Sequence, residues 1–322
     1  TRNKDIFDEV FLFEEVRTLN IDSLIQKLIE IKNIYGLDYI VPCYDETTIL
    51  FSFIKDKLDF LDIKLIAPSI ENIKKFRKDN LEDLFKNDIF SYPLTKRVDN
   101  FEMAHKVAQE IGYPLFVKGF TKGAIRVNNK NDLEKSISNI TSLWNGGTLD
   151  CLMQESIKGD KYLNIVLSFN EVGIMNGYAE MEKIAMDING ATWFGKITKN
   201  ITFSDYFKEK LFNLQLKSCI LEVETILVEK ENRYYVYEVN YRPPAWINAS
   251  TLNGLNLLEL VVDNSRKAKL STHKKDCYFG REAGEFIFDV DKITIEGNNP
   301  ELFSKGAAYK TRDSSIRYPS EI

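Results

Sequence analysis

Glu238 and Asn240 stand two residues apart in the run Tyr-Tyr-Val-Tyr-Glu-Val-Asn that begins at Tyr234. On a β-strand two such side chains share a face. Upstream, the run from Ile220 to Val228 alternates in the same manner: Glu222, Glu224 and Ile226 fall on one face, Leu221, Val223 and Leu227 on the other. The intervening Glu-Lys-Glu-Asn-Arg is polar and reads as a turn. A hairpin with its tip near Glu231 pairs Glu224 with Glu238 and Glu222 with Asn240. Directly opposed Cβ atoms sit about 4.5–5.5 Å apart, where like charges are destabilising. A divalent cation removes that penalty. A set made only of oxygen donors suits Mg²⁺, with Mn²⁺ as a substitute. The same pattern also fits a solvated acidic sheet face.

A second candidate is cationic. Lys118 ends the apolar run Leu115-Phe-Val and meets the loop Gly119-Phe-Thr-Lys-Gly123. A lysine there is a point-charge donor suited to phosphate. Gly119 and Gly123 let backbone amides approach an anion. A lysine snorkelling at a sheet edge has the same signature. Met153-Gln-Glu-Ser-Ile157 reads as a strand running into a connection between lobes, where a backbone donor and acceptor could meet a purine.

These residues need a scaffold, and 322 residues with 44% hydrophobic content supply two or three lobes. The net charge is −5, and no basic block points to nucleic acid. No apolar run reaches the ~18 residues of a membrane span. Cys43, Cys151, Cys219 and Cys277 fit no metal spacing and sit beside apolar residues. They are expected as buried free thiols of a reducing, cytoplasmic compartment. His105 and His273 are not near a hydroxyl motif typical of a nucleophile, which argues against a Ser-His hydrolase.

In chain order, a strand candidate at Val10–Phe13 precedes a helix from Ile21, a strand Tyr39–Cys43, a helix around Thr47–Leu58 and a strand Lys64–Ala67. This alternation implies an open α/β sheet whose opening unit is absent or degraded. A charged helical region over 70–86 follows. Residues 93–155 form a small α+β lobe: an amphipathic helix Asn100–Ile111 closed by Gly112, the Lys118 strand, a return strand Ala124–Val127, a helix capped by Asn131 with Glu134, and a strand Leu152–Glu155. Longer strands are expected at Tyr162–Phe169, Gly173–Met181 and Thr192–Thr202. A helix near Tyr206–Ser218, the hairpin, a helix Leu252–Val262 and a strand Glu285–Val290 complete the reading.

Taken in this order the segments resemble the ATP-grasp superfamily over about residues 37–265. The carriers are Asp38-Tyr-Ile-Val-Pro, Leu65-Ile-Ala-Pro-Ser69, Arg77-Lys78, Gly112-Tyr-Pro-Leu-Phe-Val-Lys118, Gln154-Glu-Ser-Ile-Lys-Gly159, Leu221-Glu-Val-Glu224 and Glu238-Val-Asn-Tyr-Arg242. The last matches the family's Glu-x-Asn-x-Arg. The carbamoyl-phosphate-synthase-like group is the most similar, through the Lys118–Ala124 loop and Pro244-Ala-Trp246. The resemblance implies a fold, α/β and α+β, with a pre-grasp domain over 1–73. It implies an ATP-grasp domain over 74–273, made of a lid lobe about 93–155 and a catalytic lobe about 156–273, and a C-terminal tail over 274–322 packed on the latter.

The resemblance also implies roles. Lys78 and Lys118 would hold the α- and β-phosphates of ATP, and Glu155 and Ile157 would meet adenine. Glu224, Glu238 and Asn240 would carry one or two Mg²⁺. Arg242 would hold the γ-phosphate or an acyl phosphate, with Lys183 facing the phosphates and Trp246 lining the acceptor pocket or the core. Where the family has a ribose-binding Glu, this chain offers only Asp160. The implied activity is an ATP- and Mg²⁺-dependent ligase joining a small-molecule carboxylate to an amine or similar nucleophile. A small-molecule kinase on the same fold and a non-catalytic nucleotide-binding module are the alternatives. A homodimer is compatible with either.

Overall fold

The structure, a computed structural model, describes residues 20–86, 89–120, 123–144, 149–186, 190–266 and 268–281. The strands expected at Val10–Phe13 and Glu285–Val290 lie outside them. Helix α1 (Ile21–Tyr35) begins at Asn20, whose side chain accepts from the amides of Asp22 and Ser23, and ends at Gly36 with φ 74°. Strands β1 (Tyr39–Ile40) and β2 (Lys64–Leu65) pair in parallel, each shorter than its sequence pattern. The single helix expected between them is interrupted at Ile54, giving α2 (Asp45–Phe53) and α3 (Lys55–Phe60). Leu24, Leu28, Ile54, Leu58 and Ile63 form the core of this α/β unit. The charged stretch after it forms two short helices, α4 (Ile70–Lys75), capped by Ser69, and α5 (Leu81–Leu84).

Strand β3 (Phe90–Ser91) leads into a four-stranded unit. Its elements are β4 (Thr95–Val98), α6 (Phe101–Ile111), β5 (Leu115–Lys118), β6 (Ala124–Val127), α7 (Leu133–Trp144) and β7 (Cys151–Glu155). The strand order is β4-β7-β5-β6. Asn100 caps α6 through the Met103 amide, and Gly112 ends it with φ 83°. The cap expected at Asn131 lies two residues earlier: Asn129 accepts from the Asn131 amide and starts a 3₁₀ turn that runs into α7. Val107, Leu115, Val117, Leu133 and Ile137 are buried between the helices and this sheet.

The remainder is β8 (Lys161–Phe169), β9 (Met175–Met186), β10 (Thr192–Thr198), α8 (Ser204–Leu211), β11 (Cys219–Val228), β12 (Arg233–Asn240), α9 (Ile247–Leu252), α10 (Leu257–Val262), β13 (Ser271–Thr272) and β14 (Cys277–Gly280). The large sheet runs β14-β10-β9-β8-β11-β12-β3, with β13 beside β9. The helix expected as one piece over Leu252–Val262 is two. Gly254 takes φ 85° between them, and Asn256 starts α10 by accepting from the Glu259 amide. One face of the sheet packs Phe76, Phe90, Tyr178, Phe207, Leu221 and Val223. The other packs Val166, Met181, Ile220 and Trp246 with α10. Alternation along β8, β9 and β11 carries that second face on to Asn164, Lys183, Glu222 and Glu224.

The link from the small unit into β8 passes Gly159. A Cβ there would lie 2.0 Å from Ile226 Cγ2 and 2.8 Å from the Leu227 carbonyl, so only glycine fits against β11.

Candidate active site

The hairpin has the register that its alternation implies: Glu222 opposes Asn240 and Glu224 opposes Glu238. Just beyond, Thr225 opposes Val236, so β12 carries one extra residue at Tyr237. This bulge places two consecutive side chains over the same face, which regular alternation forbids. The Tyr237 hydroxyl donates to Glu224 Oε2 at 2.7 Å, while Glu238 Oε1 lies 3.0 Å from Lys78 Nζ. Tyr237 carries no sequence signal for the site, because the bulge that aims it is not marked by a glycine.

Two buried carboxylates organise the centre. Glu224 accepts from Lys183 Nζ at 2.5 Å, Tyr237 and Asn240 Nδ2 at 2.8 Å. Burial, the largest single influence, opposes its charge, but Lys183 together with the hydrogen bonds from Tyr237 and Asn240 outweighs it and holds the carboxyl below its ordinary value. Glu222 accepts from Asn164 Nδ2 at 2.6 Å, Trp246 Nε1 at 2.8 Å and Asn240 Nδ2 at 3.0 Å. With no cation in contact among the described residues, burial and then the neighbouring Glu224 push its carboxyl up. Asn240 thus spends its amide hydrogens on both carboxylates.

Lys183 lies across the site from β12, buried, with its ammonium on Glu224, the Tyr237 hydroxyl and the Gly190 carbonyl. Burial lowers its proton affinity, yet Glu224 and Tyr237 raise it well above the ordinary lysine value. It is the counter-ion of Glu224. Lys118 is different. It is buried at the end of β5, donates to Gln154 Oε1 at 2.5 Å, and lies 5.5 Å from the centre of the Tyr237 ring. Burial first and Lys78 second push its pKa down to about 7. Gly119 and Gly123 close the loop beyond it through a 3.1 Å amide-to-carbonyl bond, with Gly123 at φ 80°.

Other expected residues lie farther out. Glu155 exchanges bonds with Leu94: its amide donates to the Leu94 carbonyl at 2.9 Å and its Oε1 accepts from the Leu94 amide at 2.7 Å. That amide is therefore committed within the fold. Ile157 is half-buried in the connection after β7. Asp160 accepts from the Glu229 amide at 2.8 Å, an interaction that caps the hairpin turn. Trp246 is buried, stacked near Phe279 and bonded to Glu222, so it belongs to the floor of the site.

Arg242 donates through Nε to Asp45 Oδ1 at 2.9 Å. Asp45, on α2, was not singled out by the sequence, since nothing local marks a contact made across 197 residues. Two further expectations change. Cys43 is exposed and Cys277 is partly so, leaving Cys151 and Cys219 as the buried thiols. His273 does meet a serine, Ser250 Oγ at 3.1 Å, but both are buried and the hydroxyl also donates to the Leu255 carbonyl at 2.9 Å. This is a structural contact.

Among the described residues no group of three His, Cys, Asp or Glu gathers as metal ligands. The donor set here is two opposed glutamates with the amide of Asn240 beside Glu224, whose oxygens are all hard donors. That chemistry fits Mg²⁺, which takes few protein ligands and shares its shell with phosphates.

No family model and no curated protein matches the sequence. Solved structures do. The biotin carboxylase domain of Hydrogenobacter thermophilus 2-oxoglutarate carboxylase, with MgADP, ADP and bicarbonate, superposes with a TM-score of 0.63 at 16% identity, over 82% of this chain and 62% of that one. Rhizobium etli pyruvate carboxylase gives 0.60 at 14%, over 78% of this chain and 24% of that one. An N5-carboxyaminoimidazole ribonucleotide synthetase in its ADP complex gives 0.59 at 14%, over 82% and 68%. The chain therefore spans less than two thirds of the two carboxylase chains. With its large sheet, its four-stranded sheet and this likeness of backbone, the chain carries the ATP-grasp fold, the fold of these biotin carboxylase and N5-carboxyaminoimidazole ribonucleotide synthetase structures.

Proposed function

We propose that the protein is an ATP- and Mg²⁺-dependent ligase that activates a small-molecule carboxylate for attack by an amine. The observation that carries this reading is one site holding opposed Glu224 and Glu238, the amide of Asn240 on Glu224, and the buried amines of Lys78 and Lys118. Hard oxygens and buried cations side by side match a metal–triphosphate, which carries both charges.

In this reading Glu224, Glu238 and Asn240 hold the metal, which when bound neutralises charge on the phosphates. Lys78 and Lys118 take the α- and β-phosphates. Arg242 takes the γ-phosphate, with its charge placed beforehand where charge develops. An oxygen of the substrate carboxylate attacks the γ-phosphorus, and the bond to the β–γ bridging oxygen breaks as ADP leaves. The amine nitrogen then attacks the acyl carbon, the C–O bond to phosphate breaks, and the nitrogen loses a proton. Residues 93–155 act as the lid that keeps water from the acyl phosphate.

The test is incubation with Mg-ATP and a panel of carboxylates and amines, following ADP and the organic product. ADP release that requires both partners, with a new amide, is the expected result. A stable phosphate ester formed without an amine identifies a kinase instead. Nucleotide binding with no turnover under any pairing overturns the enzymatic reading.

A further inference from the structure

Arg242 follows β12, and its guanidinium meets α2 from near the other end of the described chain: Nε donates to Asp45 Oδ1 at 2.9 Å. Asp45 is the first residue of α2 and is 7% exposed. An acid is favoured in the first turn of a helix, where backbone amides point outward. The helix end is itself fixed. The hydroxyls of Thr47 and Thr48 each donate to the Tyr44 carbonyl at 2.8 Å, and Ser52 ties the helix to the Pro68 carbonyl at 3.0 Å.

The guanidinium is a planar fork, so holding one edge fixes the direction of the others. Its Nε edge is held by Asp45, and Nη1 reaches the Pro243 carbonyl at 3.4 Å. Among the described residues Nη2 makes no hydrogen bond, and Asp45 bonds to nothing but Arg242. Arg242 feels Glu222 and Glu238 besides Asp45, and Asp45 feels Glu238 and Lys78, so the pair borders the carboxylate and lysine centre.

We propose that Asp45 is a positioning residue for the phosphate end of the site. It grips the Nε edge of Arg242, which Nη2 shares, and thereby aims the end of the guanidinium, the outer hydrogens of Nη1 and Nη2, at the transferred phosphoryl group. The α/β segment that precedes the lid thus completes the site. This rests on the ATP reading above. A plain staple between α2 and the loop after β12 is the competing role, and it affects all ligands alike.

Calorimetry with Mg-ADP and with the β,γ-imido analogue of Mg-ATP separates the two, because only the second carries a γ-phosphoryl. The unaltered protein, Asp45→Asn, Arg242→Gln and the double variant are compared. Asp45→Asn is expected to leave ADP affinity in place and to lower the preference for the imido analogue by about tenfold, the worth of one charge-assisted contact. Arg242→Gln should lower it at least as far, and Asp45→Asn should add nothing in that background, since it acts through the arginine. Asp45→Glu keeps the charge but displaces the fork, and should shift the preference the same way with a melting temperature nearer the original. An unchanged preference in Asp45→Asn and Asp45→Glu, or equal weakening of both nucleotides, overturns the proposal. If the unaltered protein binds neither nucleotide, the ATP reading falls first and takes this inference with it.

Discussion

Lys183 Nζ and Glu224 Oε2 are 2.5 Å apart although their strands are not neighbours: β8 runs between β9 and β11, and the lysine reaches across it. Like charges opposed as Glu224 and Glu238 are would raise a carboxyl's pKa. For Glu224 the reverse holds, because the fold supplies its own cation and lowers that carboxyl.

Removing the cation should therefore be costly. Lys183→Met leaves a buried carboxylate unpaired, and a loss of about 3–5 kcal/mol by urea unfolding is expected. The pH dependence follows from the two shifts. Glu224 is held below its ordinary 4.5, so its contribution is present above that value and fades as pH falls through the lower native one. Lys183 is held above 10.5, so its contribution is full below that value and fades as pH rises through the higher native one. Unfolding free energies of the variant and the unaltered protein should differ most across the interval between. A difference that ignores pH at both extremes would dissolve the pair's role.

Glu238→Gln should abolish ADP formation. Relief of repulsion alone would make the metal-free variant more stable. Its partner Lys78 is buried and lies 3.0 Å away, so losing the negative charge should instead lower the melting temperature. Turnover and melting measured with and without Mg²⁺ decide this, and near-normal turnover would remove Glu238 from the metal set.

Lys118, at about 7 by burial and the nearby Lys78, is largely neutral in weak alkali. The native state then binds fewer protons than the unfolded chain, so its stability should rise between pH 7 and the ordinary lysine value of 10.5. A phosphate needs the charged form. Nucleotide binding at pH 8 should take up a proton, visible as a binding enthalpy that depends on the buffer's own ionisation heat. Lys118→Met should lose the uptake, weaken binding and leave the fold intact. Equal enthalpies in all buffers for the unaltered protein would end this account.

Gly159→Ala should destabilise by about 1–3 kcal/mol, since the new methyl meets Ile226 and the Leu227 carbonyl inside contact distance. A melting temperature within error of the original would mean that this connection can move aside.

Nucleotide should also slow amide exchange in β5 and β6, the strands that carry Lys118 and its loop. Protection found only in β11 and β12 would confine the binding site to the large sheet.

How much of this was readable beforehand depends on the range of the physics. The pairing of Glu224 with Glu238 follows from period-two alternation and a polar turn, both local, and it came through intact. The helix break at Ile54 did not, because apolar spacing continues across it and only backbone geometry marks the stop; the break at Gly254 has a local mark, the turn dipeptide Asn253-Gly254, which the apolar spacing on either side hides. Lys183 was placed facing phosphate but answers to Glu224, two strands away. Asp45 and Tyr237 were invisible for related reasons: one owes its place to a tertiary contact, the other to an unmarked bulge. Asp160, read as a stand-in for a ribose ligand, has its carboxylate on the turn amide of Glu229.

The bulge at Tyr237 also acts as a phase reset along the hairpin. Beyond it, toward the tip, Thr225 to Val228 pair with Val236 to Arg233 in their own register; before it, Glu222 to Glu224 pair with Asn240 to Glu238. A residue added within 229–232 is therefore expected to disturb the outer register and the Asp160 bond to the Glu229 amide, while residues 238–240 keep their places opposite 222–224.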